Sequence, residues 1–87
     1  MRISVEMSLY PLHSEYVEDV LGFIQALKQI EGLSVKTNTI STQVHGEYDL
    51  VMSSITQCLK IPFESGVPMS LVTKILNLDR EHSVLND

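Results

Sequence analysis

The residues best equipped for chemistry lie in one stretch, Asn38-Thr39-Ile40-Ser41-Thr42-Gln43-Val44-His45-Gly46-Glu47-Tyr48-Asp49. It is dense in small hydroxyl and amide side chains, which donate and accept hydrogen bonds without carrying charge. A glycine and then an acid close it, where a helix is expected to begin. Polar groups packed this tightly near the middle of a small domain build a hairpin or hold a ligand, and the reading here is that they do both. The plainer alternative stays open. Ser41 and Thr42 could serve only to satisfy strand ends, and Glu47 only to complement a helix N-terminus.

Other chemistries find little support in residue types and spacing. His13, His45, His82 and Cys58 show no paired spacing of the kind that holds zinc, and a lone histidine reads as a surface residue. Cys58 falls on a helical stripe and reads as a small core hydrophobe. The four glycines are dispersed, so no phosphate-cradling loop or other cofactor motif is present. Gln43-Val44-His45-Gly46 loosely resembles the glycine loop of acylphosphatases. That loop follows a first strand and needs an arginine, and neither condition holds here. Nothing in the spacing pairs a nucleophile with a base, so no enzymatic activity is expected.

The elements that position the stretch follow from periodicity. Ile3, Val5, Met7 and Leu9 alternate with Ser4, Glu6, Ser8 and Tyr10, which predicts a strand with one apolar face, ended by Pro11. Ser14 is the expected N-cap of a helix over 15–31, with Val17, Val20, Leu21, Ile24, Leu27 and Ile30 as its stripe and Gly32 as its stop. Leu33 to Asn38 and Ser41 to His45 read as two strands. The link between them is too short for a crossover helix, so they pair antiparallel. Tyr48, Val51, Met52, Ile55 and Leu59, with Cys58 beside them, form a second helix that Pro62 should end or kink. Leu71 to Leu78 is the last strand, and Asp79 onward reads as a frayed polar tail.

The order β-α-β-β-α-β predicts an α+β ferredoxin-like sandwich, a four-stranded antiparallel sheet with two helices on one face. The other face has no expected cover within the chain. It would carry Ser4, Glu6, Ser8, Tyr10, Lys36 and Asn38 with apolar groups from the last strand, which suggests a second subunit there.

Bulk properties set the remaining bounds. Eighty-seven residues make one domain, 1–87, with a thin core. A net charge of −5 with six scattered basic residues argues against nucleic acid, which needs clustered Lys and Arg. RNA-recognition domains share the topology, but they stack bases on sheet aromatics, and Tyr10 is the aromatic expected on the open face. The single cysteine allows no intrachain disulfide, which suits a reducing cytosol. An acid at position 6, where a signal peptide would be apolar, adds to the expectation of a cytoplasmic protein. No apolar run approaches bilayer length, so no membrane partner is expected.

Three segments carry a resemblance: Ser8-Leu9-Tyr10-Pro11-Leu12, Ile40-Ser41-Thr42-Gln43-Val44-His45-Gly46-Glu47 and Ile75-Leu76-Asn77-Leu78-Asp79-Arg80. In this order they resemble the small thiamine/hydroxymethylpyrimidine-binding proteins, the YkoF-like family, over nearly the whole chain. Pro62-Phe63 departs from the uninterrupted second helix typical of those proteins. The resemblance implies the ferredoxin-like fold, homodimers or homotetramers built through the sheets, and binding of thiamine or its pyrimidine half without catalysis and without a cofactor. An aminopyrimidine needs mixed donors and acceptors, for which Asn38, Ser41 and Thr42 are candidates, with Ser8 on the first strand. A thiazolium cation favours carboxylates and aromatic faces nearby, for which Glu6, Glu47, Tyr10 and Tyr48 are candidates. The alternative is a regulatory or oligomerisation module that binds another small molecule, such as an amino acid, between subunits.

Overall fold

A computed structural model describes residues 1–12 and 17–81. The chain runs β1 (Arg2–Pro11), α1 (Val17–Lys28), β2 (Ser34–Thr37), β3 (Thr42–Glu47), α2 (Tyr48–Phe63) and β4 (Met69–Leu76). The strands form one sheet in the order β2-β3-β1-β4, every neighbouring pair antiparallel. This is the expected ferredoxin-like sandwich.

The alternation in β1 sets the two faces. Ile3, Val5 and Met7 are buried on the helix side, with Val44 of β3 opposite Val5. Phe23 and Leu27 of α1 and Val51, Ile55 and Cys58 of α2 complete the core. Each large apolar side chain buried this way contributes roughly 1.5–3 kcal/mol. Burial also pushes the Cys58 thiol above its ordinary pKa, because a thiolate is poorly solvated there.

Several expectations are corrected. The buried edge of α1 is centred on Phe23, Ile24 and Leu27, and Leu21 is exposed; the helix is turned by about one residue from the stripe read in sequence. The helix ends at Lys28, and the Ser14 cap lies outside the described residues. In α2, Val51, Ile55 and Cys58 are buried but Tyr48 is exposed. The helix runs through Pro62 to Phe63, with Pro62 itself buried in the last turn. Behind it the chain closes, with Glu64 N–H on the Lys60 carbonyl at 2.9 Å and Ser65 N–H on the Pro62 carbonyl at 3.1 Å.

Two glycines shape the helix side. Gly32 adopts φ +94°, a backbone conformation that calls for glycine; a Cβ there would also lie 2.8 Å from Leu50 Cδ2, a side-chain tip that would have to move. Gly46 lies under α2. A Cβ on it would meet the Gly32 carbonyl oxygen at 3.1 Å and Val51 Cγ2 at 3.2 Å. Its place in the central stretch is thus explained by close packing.

The opposite face is not bare. Beyond β4, residues 79–81 cross back over β1, β3 and β2. Asp79 is bound by Arg2 Nε at 2.5 Å, and this hydrogen bond raises the Arg2 pKa. Arg80 N–H donates to Ser4 Oγ at 2.7 Å. Glu81 accepts a hydrogen bond from Ser34 Oγ and pairs with Lys36 Nζ at 3.8 Å. The segment expected to fray is, through Glu81, an anchored strap, and it covers one end of the face expected to lack a cover. His82 and the tail beyond it lie outside the described residues. No helix among the described residues is long and apolar enough to cross a membrane.

Candidate functional site

The site is built where β1 outruns its partner. Pairing of β1 with β3 ends at Met7↔Thr42, whereas β1 stays paired with β4 as far as Pro11↔Met69. The edge of Ser8 to Pro11 therefore faces the 38–41 turn rather than a strand. That turn holds itself. Asn38 Oδ1 accepts the N–H groups of Ile40 at 2.7 Å and Ser41 at 2.9 Å, and Asn38 N–H donates to the Ser41 carbonyl at 3.1 Å. An asparagine turn of this kind closes the short link between β2 and β3. Ser8 Oγ reaches the Ile40 carbonyl at 3.4 Å, a side-chain bridge between β1 and the turn.

Two cavities meet at this bridge. One, of about 310 Å³, lies on the helix side, floored by Phe23 and Ile24 and rimmed by Asn38 and Thr42. The other, of about 490 Å³, lies on the open sheet face between Glu6, Val72 and Lys74. Ser8, Tyr10, Ile40 and Ser41 line both. Glu6 is oriented by its neighbours: its Oε2 accepts the Ser41 hydroxyl at 3.2 Å, and its Oε1 faces Lys74 Nζ at 3.7 Å. Tyr10 is 53% exposed, so its ring is open to contact. An apolar floor, a few converging polar groups and one carboxylate are the ordinary ingredients of a small-molecule site.

The structure thus brings together Glu6, Ser8, Tyr10, Asn38, Ser41 and Thr42. Their roles differ from the simple expectation. The Asn38 carbonyl is spent on the turn, which leaves its amide N–H groups as donors. Thr42 is buried, with its hydroxyl 3.4 Å from that of Thr37. Glu47 and Tyr48 are not part of this cluster. Glu47 ends β3 opposite Arg2, five residues from Thr42, which is about 16 Å at strand rise. Its carboxylate pairs with the amino group of Met1 at 3.1 Å, and Tyr48 N–H donates to the Met1 carbonyl at 2.8 Å. Both residues thus serve the junction between β1 and α2.

A second constellation was not legible from spacing. His45 and Ser4 are buried at 3% and 4% exposure beneath the strap, and Ser4 Oγ lies 2.7 Å from His45 Nδ1. Ser4 Oγ also accepts the Arg80 N–H at 2.7 Å, so one hydroxyl joins the imidazole to the strap. The fold thereby juxtaposes a hydroxyl and an imidazole that lie far apart in sequence. With the hydroxyl buried and holding a backbone N–H, the pair acts as an anchor for the strap. Ser4, Glu6, Gln43, His45, Lys74 and Arg80 line a third cavity of about 330 Å³. The signal available in sequence was that Ser4 and His45 point to the same sheet face once the register is known.

The architecture is that of a ferredoxin-like sandwich with a cavity on each side of its first strand. Solved structures share the fold. A hypothetical protein from Methanocaldococcus jannascii superposes with a TM-score of 0.79 at 19% identity, covering 97% of this chain and 88% of that one. A protein from Streptococcus pneumoniae gives 0.82 at 18% identity, covering 94% and 92%. A Thermotoga maritima protein described as a candidate for thiamine biosynthesis or salvage gives 0.77 at 16% identity, covering 90% and 85%. At these identities the likeness carries the fold alone. The chain belongs to the thiamine-binding protein family, whose model matches residues 5–83. No curated protein matches it at a significant level.

Proposed function

We propose that this chain binds thiamine or its hydroxymethylpyrimidine moiety, without catalysis, at the end of β1. The observation that carries the reading is the pair of cavities meeting at Ser8 and Ile40, because the ligand also has two unlike halves. The aminopyrimidine suits the helix-side cavity, with Phe23 and Ile24 beneath it and the Asn38 amide at its rim. The thiazolium suits the open-face cavity, where the Glu6 carboxylate and the Tyr10 ring supply charge and an aromatic face. The Ser8–Ile40 contact is long and exposed, so it yields easily to a ligand that spans it. Family membership supports the same ligand.

A carrier, buffer or sensor of the vitamin in the cytoplasm is the role we infer, acting as a homo-oligomer. Self-association is supported by the apolar side chains that the edge strand β4 leaves exposed, Val72, Ile75 and Leu76, in a domain with little core to spare. Isothermal titration with thiamine tests the function. Saturable heat is expected; its absence at millimolar thiamine removes the reading.

A further inference from the structure

A thiamine seated at the end of β1 leaves the third cavity, beneath the strap, unused. That cavity adjoins the open-face one, with Glu6 and Lys74 lining both. It also holds one more basic side chain, Lys74 and Arg80, than acidic, Glu6. Lys74 faces Glu6 at 3.7 Å in an exposed pair that solvent screens. No carboxylate pairs with the Arg80 guanidinium among the described residues. The backbone of Arg80 is nonetheless fixed in place. Its backbone N–H is held by the buried Ser4 hydroxyl, and its neighbours Asp79 and Glu81 are tied to Arg2 and to Ser34.

Charge is therefore ordered along the trough. The Glu6 carboxylate is followed by the Arg80 backbone at the level of Ser4, two residues along β1 and about 7 Å at strand rise, and Arg80 lines the same cavity as Glu6. Counting Lys74 and Arg80 against Glu6, the cavity carries a surplus of one positive charge, enough for a single small anionic group. The hydroxyethyl arm of a thiazolium held at Glu6 would lead toward it.

We propose that the cavity between Lys74 and Arg80 is a phosphate subsite, and that the preferred ligand is the monophosphate ester of thiamine. This rests on the placement of the thiazolium beside Glu6 given above. The test is calorimetric titration of thiamine and of thiamine monophosphate into the wild-type chain and into Arg80→Ala and Lys74→Ala. The wild type should bind the monophosphate about tenfold more tightly than thiamine, the equivalent of one charge-assisted contact. The ratio should fall toward one in Arg80→Ala and decrease in Lys74→Ala. Melting curves check that each variant is folded; both side chains are exposed. Equal wild-type affinities for the two ligands would overturn the phosphate subsite while leaving thiamine binding intact. A ratio that survives both substitutions would do the same. Absence of heat with either ligand would overturn the thiamine reading and the subsite with it.

Discussion

Replacing Ser4 by alanine should cost far more than its size suggests. The Ser4 hydroxyl makes two hydrogen bonds at 2.7 Å, one accepted from the Arg80 N–H and one shared with His45 Nδ1, and it is 4% exposed. Each such hydrogen bond is worth about 1 kcal/mol net, and a buried polar atom left without its partner adds a desolvation penalty, so the loss should be about 2–3 kcal/mol. A domain of this length has a total stability of roughly 4–13 kcal/mol, and each kcal/mol moves the melting temperature by about 4–8 °C. A fall of about 10 °C or more is therefore expected in thermal or urea denaturation. Ser8→Ala is the control: it lies on the same strand and face, but its hydroxyl makes one long contact at 3.4 Å. It should stay within about 0.5 kcal/mol of wild type. Hydrogen exchange adds a local readout, because the Arg80 amide should be protected in the wild type and exchange freely in Ser4→Ala. If Ser4→Ala is no less stable than Ser8→Ala, the strap is not anchored as described.

Glu6→Gln keeps the shape of the cavity and removes its charge, so thiamine binding should weaken by about fivefold to tenfold, the lower range for a charge-assisted contact at a partly exposed site, with little change in melting temperature. Ser41→Ala combined with Thr42→Val should weaken binding, measured by calorimetry, more than it lowers stability; valine keeps the volume of the buried threonine, and collapse of the fold would mark both residues as purely structural. Gel filtration at micromolar concentration should give a mass above the 9.8 kDa monomer, and a clean monomer would remove the argument from the exposed β4 edge.

The fold was legible because its signals are local. Ile3, Val5 and Met7 declare the core face of β1 by alternation, and the short link at 38–41 forces β2 and β3 to pair antiparallel. The cluster at the end of β1 was legible for a related reason: Ser8 and Tyr10 share a strand, and Asn38 and Ser41 share a turn that leads directly into Thr42. What stayed hidden depends on contacts distant in sequence. Asp79 and Arg80 have the composition of a frayed tail, yet they bind Arg2 and Ser4, 77 and 76 residues away. Glu47 looks like a helix-dipole acid, but the Met1 amino group that holds its carboxylate is 46 residues distant. Phe23 could be ranked above Leu21 only once the sheet under α1 was in place. Gly46 belongs to a chemically suggestive stretch, and its need for glycine comes from the approach of α2.

The most direct test of the central claim is a backbone amide NMR titration of the full chain with thiamine. Saturable shifts should concentrate at Glu6 to Tyr10 and at Asn38 to Thr42, while Glu47 and Tyr48, about 16 Å along β3, stay unmoved. A spectrum unchanged at millimolar thiamine, or shifts confined to the Glu47 end of the sheet, would contradict the account.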